Sequence, residues 1–380
     1  MRLALLGFLT VALSACSTPK VMKEPTILAP VESSVTLKKN WQFKTESMPN
    51  KDSEGLFFAE DSTYVYAAST QGHLVSLLKS EQGRWMDQVA WQTKFASQIV
   101  SGPAKSGNQL IIGTAKGQVF SVAADTGQIG WQTQLSSEVM SHAVISDQKV
   151  FTRTVDGNVY ALSLKTGEIV WTAAHQMPSL SLRGSPPVVV YDNTLFIGWD
   201  SGTIQALSAK SGALLWETRV AVPKGRTDLE RMVDVQAGLV IKQDRLFALG
   251  YHGKLVSIDP RTGNFYFVNE VSGYRDLAVD DSHLYVVDDR DILHAFDLVS
   301  GAPVWKQTAF KGRLVGDLLL SQGELLVVDA WGYLHWVNPI QGIESSRFKH
   351  SNEYGDGNRI LRIKAEGNTL TVLDDEGVIT

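Results

Sequence analysis

Eight histidines stand at positions 73, 142, 175, 252, 283, 294, 335 and 350, and none has the short spacing at which two imidazoles grip one zinc ion. Three acidic pairs, Asp280-Asp281, Asp288-Asp289 and Asp374-Asp375, offer the hard oxygen ligands that calcium takes. Each pair closes an apolar run, so they read as solvated turn carboxylates, and no metal is expected. Neither a glycine loop that cradles phosphate nor a Gly-x-Ser-x-Gly elbow occurs. The only thiol is Cys16, which rules out an internal disulfide. A formal net charge of −5 argues against a general nucleic-acid binder, which needs a basic footprint to displace phosphate counterions. No catalytic constellation emerges, so the chain is expected to work by binding, without a cofactor.

Cys16 has a more specific reading. Arg2 is followed by an apolar stretch over 3–13, which is too short to span a bilayer. The run Leu13-Ser14-Ala15-Cys16 then resembles a bacterial lipobox, cleaved before a cysteine that receives lipid. The expected layout is a signal peptide over 1–15, a lipidated flexible tether over 16–36 and one domain over 37–380. Several acyl chains would anchor the protein firmly, because one chain binds a bilayer only marginally. Ser17, where an Asp would mark inner-membrane retention, points to the outer membrane, facing the periplasm.

The elements that position everything else are set by an internal repeat. Gly117–Trp131, Gly157–Trp171, Gly202–Trp216 and Gly253–Phe267 align without gaps, with a Gly opening the unit, a second Gly near its end and an aromatic closing it. Degenerate copies open at Asp291 and Gly332, another opens at Gly72, and the last opens at Gly377 and stops with the chain. The openings are about 44 residues apart, which suits four short strands and their turns. The run from Trp41 to Thr45 matches the Trp-x-Thr endings at Trp91, Trp131 and Trp216. The N-terminal strand should therefore complete the last blade of an all-β, eight-bladed β-propeller with four antiparallel strands per blade. Such closure removes the open end at which strands could pair wrongly. The repeat tryptophans are expected to pack between blades, each burial being worth roughly 1.5–3 kcal/mol.

Segments that break a repeat are the better candidates for function. One is His175–Pro187, where Leu180 and Leu182 are apolar in a loop and Arg183 adds a cation. Such leucines either tuck into the core or wait for a partner. The other is Val222–Val235, which makes the interval from Gly202 to Gly253 the longest and carries Asp234. Both loops follow equivalent strands of adjacent blades and should emerge side by side. Arg183 could then pair with Asp234, bracing a loop or forming part of a contact surface.

Two resemblances follow. The unit ending Ala124-Asp125-Thr126-Gly127 and Trp131 resembles the propeller motif of quinone-dependent dehydrogenases. Those enzymes commonly hold the quinone against a disulfide between adjacent cysteines, and this chain has no second Cys. The whole chain is similar to the BamB family of outer-membrane protein assembly factors. The resemblance rests on the lipoprotein signal, the eight repeats, the Met177–Gly184 run and the Leu229–Val235 run. It implies membership of the Bam complex and binding to the periplasmic POTRA domains of BamA, with Leu180, Leu182, Arg183 and Asp234 at contact positions. Help to nascent outer-membrane β-barrel proteins is implied as well. Gln236 departs from the acidic residue expected there. The alternatives are a quinoprotein-type enzyme and a ligand-binding periplasmic propeller.

Overall fold

The second and third strands of each repeat are apolar almost throughout, as in Leu110–Thr114 and Val119–Val122, because both faces of the sheet must be covered by neighbouring sheets. The fourth strand alternates, as in Val89–Lys94, so one face packs and the other meets water. This pattern builds a ring of sheets. The computed structural model describes residues 25–33, 35–44, 56–79, 88–178, 186–227, 231–235, 237–350 and 359–380. Among the described residues there is no helix, and the strands form eight four-stranded sheets.

Blade 1 comprises β2 (Phe58–Glu60), β3 (Tyr64–Ala68), β4 (His73–Leu78) and β5 (Val89–Lys94). Blades 2 to 7 follow in the same way, starting at Ile99, Val144, Val189, Val240, Ala278 and Leu318. Blade 8 takes β30 (Ile360–Glu366), β31 (Thr369–Asp374) and β32 (Val378–Ile379) from the C-terminus and β1 (Phe43–Lys44) from the N-terminus. Phe43 pairs with Ile379 and Lys44 with Val378, so the outermost strand of the last blade is the first strand of the chain. First strands of successive blades approach one another around the axis, and fourth strands form the rim.

Two faces result. On the turn face, first strands turn into second and third into fourth. On the loop face, second strands turn into third, and each fourth strand connects to the next blade.

The repeat residues lock each blade to its neighbour. The indole Nε1–H of Trp131 donates to the Leu164 carbonyl of blade 3 at 3.0 Å, and the Thr133 hydroxyl donates to the Gly167 carbonyl at 2.6 Å. Trp91, Trp171, Trp216 and Trp305 donate in the same way to Ala124, Ala209, Pro260 and Pro339. A Cβ on Gly167 would stand 2.5 Å from the Trp131 ring, so the second Gly of the repeat is required by the preceding blade's Trp as well as by its own φ of +74°. Before each aromatic the third and fourth strands slip register by one residue, as between Ser121 and Val122, which re-aims the Trp toward the next blade.

The acidic pairs act as turn caps. Asp288 and Asp374 of these pairs, and the equivalent Asp329 of blade 7, each accept two backbone N–H groups in the loop-face turn they open. Asp288 and Asp374 are buried, unlike the solvated carboxylates expected from sequence.

Candidate partner-binding face

The Trp199-Asp200-Ser201-Gly202 turn of blade 4 lies between the two repeat-breaking loops and bonds to both. From the first loop, the His175 ring stacks on Trp199 at 4.3 Å and its Nε2 lies 3.0 Å from the Ser201 hydroxyl. From the second, Val235 N–H donates to the Trp199 carbonyl at 3.2 Å, while Val220 and Ala221, just before that loop, donate their N–H groups to the Gly202 carbonyl. The loops leave β13 (Ile169–Ala174) and β17 (Leu214–Arg219), the rim strands of blades 3 and 4, on the loop face. They are therefore neighbours, as their placement in the repeat implied.

Beneath this turn lies a buried cation. Arg153, at the end of β11 (Lys149–Arg153), donates to the Gly198 carbonyl at 2.6 Å and lies 3.6 Å from Asp200. Its guanidinium stands 5.1 Å from the Trp199 ring. Burial pushes its pKa below the ordinary arginine value, and the carboxylates of Asp200 and Asp234 oppose that shift. Burial likewise lowers the pKa of His175. The Trp199 indole donates to Gln205, which in turn donates to Glu217, so the aromatic platform is fixed from below.

Asp234 is 1% exposed, and its backbone forms an antiparallel bridge with Tyr251 of blade 5. Its carboxylate is placed to act inside the protein, on Arg153, rather than on the surface. Leu180, Leu182, Arg183 and Gln236 lie outside the described residues. Sequence reading passed over Arg153, Trp199 and Asp200. A signal existed, since no other loop-face turn of the repeat carries a Trp-Asp pair at this position.

Comparison with known proteins decides the family. The family described as outer membrane protein assembly factor BamB matches residues 86–307 and 276–345. The outer membrane protein assembly factor BamB of Escherichia coli K12 is 32% identical over 380 residues, covering 96% of this chain and 97% of that protein. The chain belongs to the BamB family. The BamB of Xanthomonas campestris pv. campestris is 30% identical and covers 91% of this chain and 89% of its own length. The crystal structure of BamB from Moraxella catarrhalis superposes with a TM-score of 0.77 at 26% identity, over 89% of this chain and 98% of that one. A quinohemoprotein alcohol dehydrogenase from Pseudomonas putida HK5 also superposes, with a TM-score of 0.67 at 13% identity over 89% of this chain and 72% of that one, a likeness of fold alone. This chain thus shares its propeller fold with an enzyme, and function has to be sought outside the fold itself.

Proposed function

We propose that this protein is a non-catalytic scaffold lipoprotein of the outer-membrane β-barrel assembly machinery. It binds the periplasmic POTRA domains of BamA through the two loops of the loop face and assists folding and insertion of outer-membrane proteins. The observation that carries this reading is the convergence of both loops on the Trp199–Gly202 turn, in a chain that is related over 96% of its length to an outer membrane protein assembly factor. Leu180 and Leu182 supply apolar anchors and Arg183 a cation, a composition suited to a small energetic hot spot. Asp234 and Arg153 act one layer below, holding the second loop in place.

The rest of the layout follows the same reading. A signal peptide over 1–15 is removed and Cys16 carries lipid, which anchors the protein to the outer membrane, facing the periplasm. Nascent β-barrel chains are further partners, for which the rim strands offer unpaired edges.

A photo-reactive residue at Leu182 in intact cells tests the assignment. An adduct with BamA is expected. Adducts with BamA from rim or turn-face positions only, with none from Leu182, would overturn it.

A further inference from the structure

Blade 7 departs from the other blades at one pair of residues. In blades 1 to 6 a small residue of the third strand faces the aromatic of the fourth, as Ser121 faces Trp131, Ala206 faces Trp216 and Ala295 faces Trp305. In blade 7 the sizes are exchanged, and Trp336 faces Ser346. The rim of blade 7 therefore lacks the ring that elsewhere bolts one blade to the next, and blade 8 has no third-to-fourth turn to receive one, because its fourth strand is the N-terminal β1.

The N-terminal segment fills this gap. Ser33 Oγ lies 2.5 Å from Ser346 Oγ and donates to the Arg347 carbonyl at 3.1 Å, and Val35 N–H donates to Ser346 Oγ at 3.0 Å. Val35 and Leu37 pack on the apolar cluster that includes Trp336. Farther back, Arg347 donates to the Ala29 carbonyl at 3.1 Å, and Arg313 donates to the Thr26 carbonyl at 3.0 Å. Thr26 also bonds to the Lys311 carbonyl through its N–H and its hydroxyl. The two arginines are joined inside the blade. Arg313 bonds to Asp329 at 2.6 Å, the His335 ring bridges Asp329 and Glu344, and Glu344 accepts from Arg347. Burial opposes the charge of Glu344, but hydrogen bonds from His335 and Arg347 outweigh it and hold the carboxyl below its usual range.

The direction of this strap matters. β1 enters blade 8 from the turn face, since Phe43 pairs with Ile379 at the end of the third strand. A tether running freely up to residue 36 would therefore leave the propeller on the turn face. The strap instead runs back across the rim of blade 7, and its far end at Thr26 is fixed to the connection between blades 6 and 7 on the loop face. Residues 25–33 and 35–36, within the stretch expected as tether, thus lie against the propeller.

We infer that the strap carries the anchor's point of exit to the loop face, and that the loop face is the one presented to the lipid surface. This rests on the reading of Cys16 as the lipidated residue. Only residues 16–24 then separate the lipid from Pro25, a reach of at most about 30 Å even when fully extended. The exposed apolar residues of the blades argue for the opposite orientation, because Ile340 (72% exposed), Ile343 (58%), Leu214 (56%) and Leu215 (55%) lie toward the turn face, although Ile27 (93%) stands at the strap's loop-face end. The strap and the apolar rim therefore predict opposite faces toward the membrane.

Energy transfer on vesicles separates them. The lipidated protein is bound to phosphatidylcholine vesicles that carry an acceptor dye on a fraction of headgroups. Donor dyes are placed on the loop face at Lys116→Cys and Arg290→Cys, in opposite blades 2 and 6, and on the turn face at Lys165→Cys and Gln341→Cys, in opposite blades 3 and 7. Averaging each pair cancels tilt of the ring. At least twofold greater transfer from the loop-face pair is expected, and Ser33→Ala with Arg347→Ala should shrink that difference while far-ultraviolet circular dichroism stays unchanged. Equal transfer from both faces, or greater transfer from the turn face, overturns the inference. A protein that does not float with the vesicles overturns the lipidation reading instead. The exit face is then read from transfer between a dye on Cys16 and dyes on the two faces.

Discussion

Trp336 and Ser346 face each other across the third and fourth strands of blade 7, with the aromatic and the small residue on the opposite strands from their counterparts in blades 1 to 6. The exchange leaves a hydroxyl where an indole would stand, and the N-terminal strap docks on that hydroxyl.

Ser346→Ala removes the acceptor of the Val35 amide and the hydroxyl that bonds to Ser33, while leaving the core unchanged. One lost hydrogen bond of this kind is worth about 0.5–1.5 kcal/mol. Native-state hydrogen exchange at the Val35 amide should speed up about two- to tenfold, with amides of β7 (Gln109–Thr114) unaffected. An unchanged Val35 rate would show that the strap is held by other contacts.

Gly167→Ala and Gly323→Ala form a matched pair. Both positions have φ near +75°, but a Cβ on Gly323 meets nothing within 4 Å, whereas on Gly167 it meets the Trp131 ring at 2.5 Å. Backbone strain alone should cost Gly323→Ala about 1 kcal/mol, and Gly167→Ala should lose about 2–4 kcal/mol in urea denaturation. Equal losses would mean that the Trp–Gly contact does not lock the blades.

Those locking residues were legible in the sequence because they recur in register. The same periodicity gave the ring closure, since Trp41 to Thr45 carries the ending that the last repeat lacks. The strap was not legible: a Pro-, Ser- and Thr-rich run shows no period, and its bonds go to residues some 285 to 318 positions away. Only the missing aromatic at Ser346 marked its dock. At the candidate site, the two loops stood out as breaks in the repeat. Arg153 did not, because a lone Arg at a strand end looks exposed until Trp199, Asp200 and Asp234 are folded over it.

Asp317 lies where the first strands of blades 6, 7 and 8 converge, accepting from the Ile363 amide at 3.0 Å with Arg362 at 3.4 Å. Burial pushes its carboxyl up to about 6, and the nearby Asp276 adds to the shift. A carboxyl whose folded pKa is raised disfavours folding once it ionises. Its penalty is absent below about pH 4, grows as pH rises toward 6 and is complete at pH 7. Asp317→Asn keeps an acceptor for Ile363 and should stabilise the protein at pH 7 by about 1–3 kcal/mol, with a flatter stability profile between pH 4 and 6. A variant that is less stable at pH 7, with the profile unchanged, would contradict the assigned burial.

Binding of BamA is proposed for the loop face and not for the propeller rim. Its direct measure is the dissociation constant between this protein and the isolated POTRA domains of BamA, determined calorimetrically for three forms that remain folded. Leu182→Asp with Arg183→Glu should weaken binding at least tenfold, a loss of about 1.4 kcal/mol or more. Leu214→Ser with Leu215→Ser, on exposed rim positions, should stay within twofold of the unaltered protein. Unchanged affinity in the loop variant, or a tenfold loss in the rim variant alone, would contradict the account.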